Sequence, residues 1–204
     1  MSSPSTRSTQ EYGPGAALVV VDVQVDFADP AGSLYVPGGE EVVPLVGAEV
    51  AAATAAGSLV VLTQDWHPPH TPHFAPDGGL WPVHCVAGTP GAELHPGLAV
   101  PPDAPRVHKG IGSEDGYSGF SEVDLASGRT ETTVLGALLT DAGAHRLVVV
   151  GLAGDYCVRA TALDGVRLGH EVLVPLALTR FVGLAPGDDE RAREEMAAAG
   201  VQLV

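Results

Sequence analysis

Cys157 follows the segment Gly151 to Tyr156, which reads as a tight turn from strand to helix and sets the thiol in the first helical turn, with Asp155 near the cap. There the helix N-terminal field favours thiolate, which predicts a nucleophile whose pKa is lowered from about 8.5 toward neutrality. The alternative is a small apolar filler between strand and helix. That bland role fits Cys85, which lies among Val83, His84 and Val86 without such a turn. Asp22 sits inside the apolar run Ala17 to Val23, where an ionised carboxylate needs a cation. Nine arginines accompany a single lysine, Lys109, which leaves a neighbouring strand end and can act as a compact point charge; a solvated loop lysine is the other reading. The third feature is Asp65, His67, His70, His73 and His84: four of the eight histidines fall between positions 67 and 84. Asp65 and His67 alternate along a strand end and can point to one side. A carboxylate with imidazoles suits Zn²⁺, Fe²⁺ or Mn²⁺, although the spacing matches no zinc-finger or zincin pattern and a solvated histidine-rich loop stays open.

Elements that could position these residues follow from hydrophobic periodicity. Continuous apolar, mostly β-branched runs predict buried strands over Ala17–Val23, Leu59–Leu62, Arg106–His108, Leu147–Val150, Glu171–Val174 and Val201–Val204. Between them, helical patterns run over Glu40–Ala56, Glu131–Ala142, Tyr156–Leu168 and Asp188–Ala199, each stopped by glycine or close to one. Alternating strands and helices predict an α/β domain, a mostly parallel central sheet of about six strands between two helical layers. In such sheets ligands bind outside the carboxyl ends of the strands, and Asp22, Asp65, Lys109 and Cys157 all fall at such ends. The Pro-, Gly- and His-rich stretch from Gln64 to Pro105 is longer than a connection needs, which marks it as functional.

The chain has 204 residues, suited to a single domain at 16–204 behind a flexible Ser/Thr/Pro-rich tail at 1–15. A net charge of −15 would repel phosphate backbones and anionic lipid, so nucleic-acid and membrane-surface partners are not expected. Two cysteines cannot build a disulfide framework, and no run is long enough to span a bilayer; a cytoplasmic protein is expected.

These residues also carry a family resemblance. The opening Val20 to Phe27 with Asp22, Gln24 and Asp26, then Gly32 to Leu34 and Pro37 to Gly39, resembles the isochorismatase-like cysteine hydrolases, and among them the nicotinamidase (pyrazinamidase) group. Thr63 to His67, Trp81 to Gly91, His108 to Gly110 and Gly151 to Val158 are similar to the remaining signatures, in family order. The resemblance implies the three-layer isochorismatase-like fold and hydrolysis of nicotinamide to nicotinate and ammonia through a cysteine thioester, a step that recycles NAD breakdown products. It implies a triad of Asp22, Lys109 and Cys157, and an oxyanion hole from the backbone amides of Ala153 and Cys157 beside a cis Leu152–Ala153 peptide. It further implies aromatic contacts from Phe27, Trp81 and Tyr117, and one divalent metal ion (Zn, Fe or Mn) on Asp65, His67, His73 and His84, with His70 left out. A relative acting on another small amide or lactam, such as a streptothricin-type hydrolase, shares the motif set; a homo-oligomer is also possible. The chain departs from the pattern at Tyr156, where the family often has His, at Pro175, where an acidic residue is common, and across Leu176 to Leu184, Phe181 included.

Overall fold

A computed structural model describes residues 12–112, 114–124 and 127–204. Most of the tail lies outside the described residues. Its last four are tied down: Tyr12 Oη donates to Glu49 at 2.8 Å, Gly13 N–H donates to Ser58 Oγ at 2.8 Å, and Gly15 carbonyl accepts from the N–H groups of His145 and Arg146.

The chain opens with strand β1 (Ala16–Val21), the short helix α1 (Val25–Ala28), helix α2 (Gly39–Ala55) and strand β2 (Leu59–Asp65). After the long loop come β3 (Arg106–Lys109), β4 (Glu114–Asp115), β5 (Ser121–Asp124), β6 (Thr130–Thr132) and helix α3 (Leu135–Asp141). The second half alternates: β7 (Arg146–Leu152), α4 (Cys157–Arg167), β8 (Glu171–Val174), β9 (Thr179–Arg180), α5 (Asp188–Ala199) and β10 (Gln202–Leu203). The main sheet has the order β10-β8-β7-β1-β2-β3, and β9 adds to the end of β7. All its pairings are parallel. The expected six strands are therefore present, with β9 as an unforeseen seventh.

The period of two along β1 divides the core. Leu18 and Val20 join Val42, Val46 and Val50 of α2 on one face, while Ala17, Val19 and Val21 join Leu135, Leu139, Val158, Ala162 and Met196 on the other. With α2 on one side and α3, α4 and α5 on the other, both faces are covered, which is why β1 and β7 read as unbroken apolar runs. This three-layer α/β/α arrangement matches the expectation.

One predicted helix is corrected. Instead of a helix from Glu131 to Ala142, Thr130–Thr132 form β6 of a small antiparallel sheet with β5 and β4, and α3 begins only at Leu135. The β-branched threonines favour extended backbone. Thr133 then ends the strand, its hydroxyl donating to Gly119 carbonyl at 2.6 Å and accepting from Leu135 N–H at 3.1 Å. Among the described residues no helix is long and apolar enough to cross a membrane.

Candidate active site

Parallel register brings the predicted residues to one edge. Val21 pairs with Thr63 and with Gly151, and Asp65 pairs with Lys109. The residues just beyond these pairs therefore leave the sheet side by side. Asp22 does so with φ of 48°, turning its carboxylate back into a fully buried position. There Thr63 Oγ1 donates to Asp22 Oδ1 at 2.6 Å and Lys109 Nζ stands 2.9 Å from Oδ2. Lys109, equally buried, also donates to Asp65 Oδ1, and its Nζ lies 3.8 Å from Cys157 Sγ. The lone lysine is thus shared between two carboxylates and the thiol. The turn at β7 requires glycine: a Cβ on Gly151, at φ of 113°, would stand 2.1 Å from Val21 carbonyl oxygen. The next peptide, Leu152–Ala153, is cis, as the resemblance implies.

Burial and charge set the protonation states. Burial raises the Asp22 carboxyl above the usual carboxylate range, despite Lys109 beside it. At Asp65 burial acts the same way, but Lys109, His67 and His84 outweigh it and hold the carboxyl well below that range. Burial would release the Lys109 proton; Asp22 and Asp65 reverse that and keep it charged. Cys157 corrects the expectation of a lowered pKa. Burial pushes its thiol well up, with Asp22 and Asp65 adding to the effect against the pull of Lys109, so the resting group is a thiol beside a base. Asp155 does not cap α4 either. Tyr156 occupies that position without a side-chain bond, and the Asp155 carboxylate accepts from Val182 and Gly183 N–H at 2.9 and 2.8 Å. It thereby fastens a pocket wall to the turn that carries the nucleophile.

The histidines gather on the other side of Asp65. Candidate ligand nitrogens of buried His67, His73 and His84 all lie within 4.8 Å of one another. His67 Nδ1 faces Gly110 carbonyl at 3.2 Å and His84 Nδ1 faces Pro82 carbonyl at 2.7 Å. Those acceptors place the ring proton on Nδ1 and leave a lone pair on each Nε2, the arrangement a metal-ligating imidazole needs. The two Nε2 atoms stand 3.8 and 3.9 Å from Asp65 Oδ2, and His67 Nε2 is buried without a hydrogen-bond partner. Burial also pushes His84 down to about 4, away from the imidazolium form. The donor set fits one divalent ion. Gly110, at φ of 65°, makes room for the His67 ring: a Cβ there would lie 2.3 Å from it. His70 is exposed, 3.4 Å from Asp77, outside the cluster.

A cavity of about 380 Å³, its mouth included, opens onto Cys157, Ala153, Asp65 and His73 and is walled by Phe27, Trp81, Tyr117 and Tyr156. Trp81 Nε1 donates to Tyr117 Oη at 3.0 Å, and the Tyr156 ring stands edge-on to Trp81 and tilted against Tyr117. All three aromatic residues singled out by the resemblance face this space. Tyr156 joins them, where the sequence marked only a departure from the family pattern. Thr63 had no assigned role, and a hydroxyl adjacent in register to Asp22 was the signal for it. Cys85 is buried with φ of 45°, and its N–H donates to Asp26 Oδ2 at 2.7 Å, away from the thiol–base pair.

Comparison with known proteins gives the same picture. The chain is 37% identical over 206 residues to the nicotinamidase of Escherichia coli, covering 93% of this chain and 94% of that one. It is 40% identical over 191 residues to the nicotinamidase/pyrazinamidase of Mycobacterium tuberculosis, covering 92% and 97%. The crystal structure of the pyrazinamidase of Pyrococcus horikoshii in complex with zinc superposes with a TM-score of 0.83 at 40% identity, covering 94% and 99%. Isochorismatase domain is the family description that matches, over residues 16–201, and with nearly the whole sheet and every strand-end residue inside that match the chain belongs to the isochorismatase domain family.

Proposed function

We propose that this chain is an amidohydrolase that converts nicotinamide to nicotinate and ammonia, acting from a single catalytic domain at 16–204 in the cytoplasm, where it recycles NAD breakdown products. The observation that carries the reading is the convergence of Cys157, Asp22 and Lys109 on a small aromatic-walled cavity. The relatives, named for nicotinamide and pyrazinamide hydrolysis, support the substrate class.

Asp22 accepts the Cys157 proton as sulfur attacks the amide carbonyl carbon, a transfer suited to a carboxylate whose basicity burial has raised. Lys109 keeps Asp22 ionised at rest and offsets charge on sulfur. The backbone N–H of Ala153 and of Cys157, the latter ahead of the helical hydrogen-bond ladder, receive the developing oxyanion. As the tetrahedral centre collapses, the C–N bond breaks, Asp22 returns its proton to nitrogen, and ammonia leaves a thioester on Cys157. Water then attacks the thioester carbonyl and gives a proton to Asp22; the C–S bond breaks, and sulfur recovers that proton. Phe27, Trp81, Tyr117 and Tyr156 hold the ring. Asp65, His67, His73 and His84 would hold the divalent ion (Zn, Fe or Mn). When bound, it supplies Lewis acidity at the pocket wall.

The test is ammonia release from nicotinamide, with pyrazinamide and lactam or aliphatic amides in parallel. Turnover of the two aromatic amides in preference to the others is expected. Turnover of a lactam or aliphatic amide without nicotinamide hydrolysis would overturn the substrate assignment.

A further inference from the structure

Gln24 lies two residues beyond Asp22, is fully buried, and takes no part in the chemistry above. Its side-chain amide nevertheless pairs with the main chain of Asp65 on both sides. Asp65 N–H donates to Gln24 Oε1 at 2.8 Å, and Gln24 Nε2 donates to Asp65 carbonyl at 2.7 Å. A second Nε2 hydrogen goes to Ala92 carbonyl at 2.8 Å. Gln24 N–H donates to Asp22 carbonyl at 2.8 Å, so one residue grips both carboxylate-bearing segments. The amide thus mimics one rung of a β-ladder at the point where β1 has ended and can no longer hold β2. Neighbouring Gln64 donates to the same Ala92 carbonyl at 2.9 Å but makes no such pairing with Asp65. A side chain that fixes both main-chain polar groups of Asp65 fixes the backbone from which its carboxylate projects between Lys109 and the histidines.

We infer that Gln24 is a positioning residue that fixes Asp65 through its main chain, and so sets both the affinity of the histidine cluster for a divalent ion and the placement of the Lys109 ammonium. This rests on the proposed metal and triad roles. Outer-shell groups of this kind change metal affinity by about 10–100-fold.

The experiment measures zinc affinity by competition with a chromophoric chelator in the full-length wild type, Gln24→Leu, Gln24→Glu and Gln64→Leu, with thermal unfolding and nicotinamide kinetics alongside. Gln24→Leu keeps bulk and loses every bond; Gln24→Glu keeps the acceptor for Asp65 N–H and loses the donor. The expected result is zinc binding weakened about tenfold or more in Gln24→Leu, with a smaller loss in Gln24→Glu and a change within about threefold in Gln64→Leu. In both Gln24 variants kcat should fall while KM for nicotinamide holds. Zinc affinity equal to wild type in a folded Gln24 variant overturns the inference, even if its melting temperature drops, because that is the mark of a merely structural residue. Should Gln24→Leu fail to fold, Gln24→Glu decides in the same way. Wild-type protein that binds zinc but does not hydrolyse nicotinamide would overturn the substrate assignment and leave this inference standing, whereas nicotinamide turnover by wild type that binds no zinc would overturn this inference alone.

Discussion

On one side of Asp65, Lys109 bridges two buried carboxylates and reaches the Cys157 thiol; on the other, His67 and His84 aim Nε2 lone pairs at Asp65 Oδ2 from 3.8 and 3.9 Å. Both regions are buried, and both are made of groups that water would otherwise solvate. The first carries its counter-ion in the sequence, as a charge the chain cannot lose on folding. The second turns two imidazole lone pairs toward a carboxylate oxygen, an arrangement that an added cation would satisfy, and burial disfavours supplying that charge by protonating His84. The difference teaches where the chain finishes its own electrostatics and where it is built for something added. Variants on the two sides should therefore fail differently.

The largest effect belongs to the nucleophile. Cys157→Ala should lower turnover of nicotinamide by at least about a thousandfold, roughly 4 kcal/mol, while folding and zinc content stay at wild-type levels. Activity at even a tenth of wild type would exclude the thioester route. Cys85→Ala should change turnover little.

Next comes Lys109→Met, which strands two carboxylates in a dry site. Breaking a buried pair in this way costs about 3–5 kcal/mol, visible in urea unfolding, and drives Asp22 toward its protonated form. A protonated Asp22 cannot accept the thiol proton, so turnover is lost at neutral pH. Cys157 alkylation, followed in a Cys85→Ala background so that one thiol is read, gives the sign. Because burial already holds the thiol pKa high, thiolate and hence alkylation should rise as pH rises above neutrality in the wild type, and later still in Lys109→Met. Lys109→Arg, planar and larger, should rescue only partly. An unchanged profile and unchanged turnover in Lys109→Met would remove the lysine from the triad.

The histidine side should break without silencing the thiol. Replacing His67, His73 or His84 by Ala should strip zinc and turnover together, with Cys157 still alkylated at near the wild-type rate. His70→Ala should keep both zinc and turnover. Equal zinc loss in His70→Ala would mean a different ligand set.

The sequence made the sheet legible because strands such as Ala17–Val23 are buried on both faces and carry an unbroken apolar signal. It also brought Asp22, Asp65, Lys109 and Cys157 to one edge, since parallel strands place their carboxyl ends together. What escaped it depends on contacts that no local pattern encodes. Thr130–Thr132 pairs as a strand only because β5 lies beside it. Asp155 has the residue type of a cap and lies one residue before the cap position, yet Val182 and Gly183 offer it two N–H groups from a distant segment. The thiol pKa differs from the expectation for a related reason: a helix N-terminus can be read from spacing, but burial beside two carboxylates cannot.

The smallest expected effect falls on Tyr156, which belongs to neither side and closes the wall between them. Its ring lies 4.9 Å from Trp81 at 83° and 5.2 Å from Tyr117 at 63°. Each such contact contributes about 0.5–1.5 kcal/mol beyond simple area burial. Tyr156→Leu keeps apolar bulk and loses both edges, so the wall should loosen and KM for nicotinamide should rise roughly three- to tenfold. The turnover number should change less than about twofold, because what residue 156 offers the nucleophile is main chain leading into α4, which leucine retains. Tyr156→Phe should match wild type in both constants: the bond that links this aromatic group, from Trp81 Nε1, ends on the hydroxyl of Tyr117 and not on that of Tyr156. Steady-state kinetics of the two variants decide the matter. A fall in kcat with KM unchanged in Tyr156→Phe would place the Tyr156 hydroxyl among the reacting groups and make the aromatic wall part of the chemistry on the triad side.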